Sequence, residues 1–194
     1  MKTGLFGGTF NPVHTGHINL VKNFKEELKL DRVLVIPTAV PPHKQAESLV
    51  SSEDRLEMCR LAFDGIAEVS DVEIARGGRS YTVETLEELK NIYKDDEFYF
   101  LVGSDMLLSF TRWYRWEDIL KMCTLCATDR DAEKTCLDAD KELFDRIIFC
   151  DFPKTVVSSS MVREKLLSGE NIKEYVPREV EKYIREKGLY NVCD

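Results

Sequence analysis

Basic charge is what this 194-residue chain is short of: 27 Lys and Arg stand against 35 Asp and Glu, a formal charge of −8. A nucleic-acid binder needs a basic stripe to displace counterions from phosphates, and none is present. Long apolar runs are missing as well. A membrane helix needs roughly 18 consecutive apolar residues, no window comes near that, and the N-terminus enters an apolar strand directly instead of showing a signal peptide's charged and apolar regions. The expectation is a cytoplasmic protein. Glycine and proline number only 10 and 6 and gather in short turns, with no linker. Residues 1–194 therefore read as one domain with one sizeable core, its C-terminal part helical from about 158 to 194.

Cysteine is not scarce. Of the six, Cys59, Cys123, Cys126, Cys136, Cys150 and Cys193, the pair Cys123 and Cys126 is spaced like half of a zinc site. No second pair or histidine cluster accompanies it. The pair also falls on a strand-like run, where alternate residues face opposite sides. All six read as ordinary buried or half-buried thiols, and we expect no protein-held metal. Acidic clusters such as Glu26-Glu27, Glu87-Glu88 and Asp95-Asp96-Glu97 read as solvated faces.

Histidine is scarce and unevenly placed. All three, His14, His17 and His43, lie in the first quarter of the chain, each within two residues of Gly or Pro. Lys2 to Phe6 is a short apolar run that reads as a buried strand, while Ile18, Val21, Phe24 and Leu28 recur at helical spacing. The segment Gly7-Gly8-Thr9-Phe10-Asn11-Pro12-Val13-His14-Thr15-Gly16-His17 thus joins a strand to a helix that begins near Thr15. Such a junction suits an anion: the helix dipole points into the turn, and glycines let the backbone approach without a Cβ. His14 and His17 share one side of the first helical turn. The alternative is a tight turn whose histidines only cap backbone carbonyls.

Farther on, strand-like and helical runs alternate. Strands are expected at Arg32 to Ile36, about Val69 to Ile74, Phe98 to Val102, Cys123 to Thr128 and Ile147 to Cys150. Helices are expected from Ser52 to about Phe63, carrying Leu56, Cys59, Arg60 and Phe63, and after Ser80, where Thr82 is placed to cap a segment holding Leu86 and Leu89. Others follow from Arg115 to Lys121, from about Ala132 to Leu143, from Ser159 to Leu167, and after Pro177, ending before Gly188. This alternation predicts an α/β fold, a Rossmann-like doubly wound parallel sheet with helices on both faces.

In such a sheet the loops after the strands share one edge. That edge would gather His14 and His17, Lys44 in a long Pro-rich loop reaching about Val50, Ser80 to Thr82, Gly103 to Asp105, Arg130, and Ser158 to Arg163. Loops on a rigid scaffold are where function concentrates. The run Ser158-Ser159-Ser160-Met161-Val162-Arg163 offers hydroxyls at a helix start and a guanidinium one turn in, either a second anion site or an ordinary serine cap. Trp113 and Tyr114 read from the residues alone as core aromatics, since large aromatics are usually buried for packing.

The run GGTFNPVHTGH resembles the (H/T)xGH signature of the nucleotidyltransferase superfamily. The blocks Val40-Pro41-Pro42-His43-Lys44, Ser80-Tyr81-Thr82, Gly103-Ser104-Asp105, Trp113-Tyr114, Ser158 to Arg163 and Gly188-Leu189-Tyr190 resemble, in the same order and over nearly the whole chain, those of bacterial nicotinate-nucleotide adenylyltransferases. The resemblance implies adenylyl transfer from ATP to nicotinate mononucleotide, giving deamido-NAD and pyrophosphate. It implies catalytic roles for His14, His17, Lys44 and Arg163, and ATP contacts from Gly7, Gly8, Thr9, Phe10, Gly103, Asp105, Arg130, Ser158 and Ser159. It also implies a mononucleotide pocket of Thr82, Asp105, Trp113 and Tyr114, with Trp113 stacking on the pyridine ring. Mg²⁺ would arrive with ATP and need no protein ligand, and a homo-oligomer is compatible with the pattern. Two departures stand out: Asn11 where Asp is more usual, and Asp129-Arg130-Asp131-Ala132 where many relatives carry Arg-Pro-Gly. The alternatives are a pantetheine-phosphate adenylyltransferase-like enzyme, against which the Trp113-Tyr114 and Ser80-Tyr81-Thr82 blocks speak, and a non-catalytic nucleotide-sensing module, which would have no need of the charge-stabilising set.

Overall fold

The computed structural model describes residues 1–41, 49–128, 146–153 and 156–191. Among these, the strands Lys2–Gly8 (β1), Arg32–Pro37 (β2), Glu68–Val69 (β3), Glu97–Val102 (β4), Thr124–Thr128 (β5) and Ile147–Cys150 (β6) form one sheet in the order β3-β2-β1-β4-β5-β6. Every pairing is parallel, with Phe6 opposite Val35, Leu34 opposite Glu68, Thr3 opposite Phe98, Phe100 opposite Leu125 and Cys126 opposite Ile148. The winding reverses between the central strands β1 and β4, and ligands of such sheets sit in the crevice at the carboxyl ends of the strands there. This is the Rossmann-like doubly wound fold that the alternation predicts.

The two-residue period of the strands sorts the core into two layers. Phe6, Val33, Val35, Leu101, Cys126 and Cys150 pack on one face with the helices Thr15–Glu27 (α1), Ser52–Phe63 (α2), Ser159–Leu167 (α7) and Arg178–Glu186 (α8). Leu5, Leu34, Ile36, Phe98, Phe100, Leu125 and Ala127 pack on the other with Val72–Arg76 (α3), Thr82–Ile92 (α4) and Trp116–Met122 (α6). Cys126 belongs to the first layer and Cys123 packs against the second, so the two thiols face opposite sides of the sheet. The four described cysteines are free. Burial pushes the thiols of Cys123 and Cys150 up to about 12 and about 11, so they are protonated and inert near neutral pH.

Local signals explain most boundaries. The Ser51 hydroxyl accepts from the Asp54 amide at 3.0 Å, and Glu53 and Asp54 meet the positive end of α2. Two expectations change, and the burial of α2 adds a finding. The predicted strand from Val69 to Ile74 is only two residues long, because after the Ser70 amide bonds Val35 the chain turns at Asp71 into α3 and buries the adjacent pair Val72 and Glu73, a helical pattern. Thr82 is not the cap of α4: Tyr81 holds that position without a side-chain bond, and Thr82 is the first helical residue. Arg60, in register with the apolar positions of α2, is half exposed, and the buried arginine of that helix is Arg55, at 1% exposure. The helix expected from Ala132 to Leu143 lies outside the described residues.

Candidate active site

A cavity of about 1190 Å³ opens at the carboxyl ends of β1 and β4. Gly7, Gly8, Thr9, Phe10, His14 and His17 form its floor. Gly8 has no room for a side chain, since a Cβ there would come within 2.9 Å of the Phe10 ring, whereas one on Gly7 would meet nothing closer than 4.0 Å. Phe10 itself is held at φ 51° with its ring edge-on to Phe6, His17 and Phe63, and the Asn11–Pro12 peptide that follows is cis.

His14 is the N-cap of α1 and His17 the third residue of its first turn. The His14 amide donates to Nδ1 of His17 at 3.2 Å. A nitrogen that accepts carries no proton, so the neutral His17 ring holds its hydrogen on Nε2. The two rings stack with centroids 3.7 Å apart. Burial lowers the His14 pKa to about 4, while burial and the neighbouring His14 hold His17 well below the usual range, so both imidazoles are neutral at pH 7. His17 thus caps a backbone amide and not a carbonyl, and both rings line the cavity. The amides of His14 and Thr15 are used internally, the latter on Tyr175 O at 2.8 Å, which leaves the dipole of α1 and the imidazoles to meet an anion.

The C-terminal elements form the next wall. Ser158 caps α7 by accepting from the Met161 amide at 3.2 Å, and the Ser159 hydroxyl donates to Pro12 O at 2.9 Å. Arg163 donates to Asn11 O at 2.7 Å and to the Ser160 hydroxyl at 3.3 Å. All four of these side chains from Ser158 to Arg163 line the cavity. The serine-cap reading of Ser158 is correct, yet the same segment is bolted to the turn that carries the histidines.

Opposite stands an aromatic and polar wall. Trp113 packs edge-on to Phe100 at 6.0 Å and tilted to Phe110 at 5.4 Å while facing the cavity, so the core and wall readings both hold. Tyr114 is 54% exposed, with its ring 5.0 Å from that of Tyr81. Thr82 begins α4 at the rim, placing the positive end of an 11-residue helix there. Behind it Glu73 is buried, accepting from the Thr85 hydroxyl at 2.7 Å, and desolvation raises its pKa.

A family model described as cytidylyltransferase-like matches residues 5–165. A Dehalococcoides mccartyi protein named "Probable nicotinate-nucleotide adenylyltransferase" is 40% identical over 98% of this chain and 98% of its own. The chain belongs to the nicotinate-nucleotide adenylyltransferase family. A Geobacillus thermodenitrificans protein of the same name is 37% identical over 97% of this chain and 86% of its own. The fold is like that of Plasmodium falciparum nicotinic acid mononucleotide adenylyltransferase complexed with NaAD, with a TM-score of 0.79, 19% identity, and coverage of 100% of this chain and 99% of that one. This adenylyltransferase is thus a nucleotidyltransferase, the class to which the turn motif points.

Of the residues expected to serve the reaction, the turn, Gly103, Thr82, Trp113, Tyr114, Ser158, Ser159 and Arg163 meet around one cavity. Asp105 lies in the short helix Ser104–Leu107 (α5) directly after β4. Its side chain, Lys44 and Arg130 lie outside the described residues. Sequence reasoning missed Arg55, which interrupts an apolar helix face, and the buried bond between Tyr190 Oη and Asn11 Oδ1 at 2.8 Å, whose partners stand 179 residues apart. A charged residue next to Leu56 inside an otherwise apolar stripe is the one clue available for the former.

Proposed function

We propose that this cavity joins ATP to nicotinate mononucleotide, with the triphosphate over the histidine turn and α7 and the pyridine ring against Trp113. The observation that carries this reading is the convergence of two neutral imidazoles, a helix N-terminus and Arg163 on one floor, facing an aromatic wall across the β1/β4 crevice. The 5′-phosphate of the mononucleotide attacks the α-phosphorus of ATP, the new P–O bond forms as the bond to the β-phosphate breaks, and pyrophosphate leaves. The attacking phosphate is already ionised, so no protein base or nucleophile is needed, and the task is alignment and charge stabilisation.

His17 presents Nε2–H to a phosphate oxygen, with its Nδ1 fixed by the His14 amide. His14, Lys44 and Arg163 complete the set that stabilises developing charge. Asp105 bonds ribose hydroxyls, Arg130 and Gly103 attend ATP, and the first turn of α4 at Thr82 receives the nicotinate carboxylate. The groups around the turn are hydrogen-bond donors suited to phosphate, not a cage of oxygen anions, so Mg²⁺ would ride on the phosphates of ATP and supply charge neutralisation there. The test is pyrophosphate release with ATP and Mg²⁺ against a panel of acceptor phosphates. Nicotinate mononucleotide should be the best acceptor; a clear preference for a pantetheine phosphate, or no release with any acceptor, overturns the assignment.

A further inference from the structure

Three peptide carbonyls from three segments converge on one buried guanidinium. The two terminal nitrogens of Arg55 donate to Thr9 O at 2.9 Å and to Ala39 O at 2.8 Å, and Nε donates to Val50 O at 3.3 Å. Thr9 is in the phosphate turn after β1, Ala39 follows β2, and Val50 precedes the cap of α2. The chain of bonds continues. The Ala39 amide donates to the Ser80 hydroxyl at 2.9 Å, and the Ser80 amide donates to Val40 O at 3.0 Å, so Arg55 is linked through Ala39 to the block that opens α4.

We propose that Arg55 is a positioning residue that fixes the separation between the phosphate turn and the pyridine wall. The proposal rests on the assignment of those two subsites given above. A planar fork with divergent N–H groups can hold three carbonyls at once, whereas the single ammonium head of lysine cannot reproduce that spread. Burying this charge among neutral carbonyls costs desolvation that a purely apolar side chain would avoid, which is intelligible when loop geometry is what matters. In-line transfer needs the attacking oxygen within about 3–3.5 Å of phosphorus, and a displacement of about 1 Å can cost about 10²-fold in rate. Arg55 touches no substrate in this scheme. It sets where two loops stand, and thereby the distance across which the two substrates meet.

The test compares the wild-type chain with R55K and S80A, checking fold by circular dichroism and measuring kcat. It also measures the Kd of α,β-methylene-ATP alone, of nicotinate mononucleotide alone, and of the dinucleotide product that spans both subsites. For R55K, kcat should fall about 10²-fold, product affinity should fall at least about tenfold, and each substrate alone should bind within about twofold of wild type. S80A, which cuts the Ala39 link together with the Ser80 bond to Glu73 and leaves Arg55 in place, should shift kcat and product affinity in the same direction by a smaller factor. Unchanged kcat in folded R55K, or single-substrate affinities in folded R55K that fall as far as product affinity does, overturns the proposal. If R55K does not fold, S80A decides, and full retention of its kcat and product affinity overturns it. Wild-type protein that binds neither substrate would instead refute the underlying placement of the subsites.

Discussion

The His14 amide and the Nδ1 of His17 lie 3.2 Å apart, and this one bond determines which nitrogen of His17 is left to face the cavity. His17→Ala should lower kcat by about 10²–10³-fold, the loss seen when a preorganised donor to developing charge is removed. His17→Asn should lose similar activity but melt closer to wild type, because the Asn oxygen can replace Nδ1 as acceptor for the cap while providing no donor at the Nε2 position. Steady-state kinetics beside thermal melts check both halves; near-wild-type turnover in either variant would refute the role.

The same burial makes stability depend on pH. Both histidines stay neutral in the folded protein while the unfolded chain takes up protons below about 6.5. Stability is thus fully present above pH 6.5 and is lost as pH falls towards about 4, by at most about 3 kcal/mol for His14. Ordinary carboxylates contribute little to the slope until below about pH 5, and Glu73, whose pKa burial raises, acts with the opposite sign in wild type and variant alike, so the difference in urea midpoints between the two from about pH 6.5 to 5 isolates the effect. His14→Asn should flatten this slope by about one proton, and an unchanged slope would count against the burial argument.

Arg163 donates one N–H to Asn11 O at 2.7 Å and lines the cavity, so in the proposed scheme it serves the turn and the phosphates at once. Arg163→Ala should lower kcat/KM for ATP by about 10²-fold and cost about 1–2 kcal/mol of stability from the lost charged hydrogen bond. Arg163→Lys keeps the charge and loses the fork, so it should fall between. Equal activity of the alanine and wild-type enzymes would remove Arg163 from the charge-stabilising set.

Trp113 and the start of α4 should divide recognition between them. Trp113→Ala should raise KM for the pyridine mononucleotide at least about tenfold while leaving KM for ATP near wild type, because stacking on an aromatic face is worth about 1–3 kcal/mol. The positive end of α4 favours a carboxylate, and an amide would turn a donor towards donors. The wild-type enzyme should therefore prefer nicotinate over nicotinamide mononucleotide by at least about 10²-fold in kcat/KM. Competing the two with limiting ATP measures it; equal use would mean that the wall has been misassigned.

Motif and period made much of the molecule legible. The limits of α2 and α7 and the strand Ile147–Cys150 follow from caps and apolar spacing, which are local in sequence. The β3 region misleads because a short apolar run carries no period long enough to tell an edge strand from a helical turn. Thr82 looks like a cap, yet Tyr81 occupies that place and the neighbouring Ser80 spends its hydroxyl on Ala39.

By itself, the sequence determined the parallel α/β order, the histidine turn and the family, because these rest on residue types at fixed spacing along the chain. Only the tertiary structure decided that the hydrogen of the neutral His17 ring sits on Nε2, that Ser159 and Arg163 hold the carbonyls of Pro12 and Asn11, and that Arg55 ties Thr9 to Ala39. These are bonds to backbone groups, and every residue offers the same amide and carbonyl, so nothing in the identity of Pro12, Asn11, Thr9 or Ala39 announces the partner. Which carbonyl a buried donor meets is settled by how the loops stand over the sheet once β1 and β4 lie side by side.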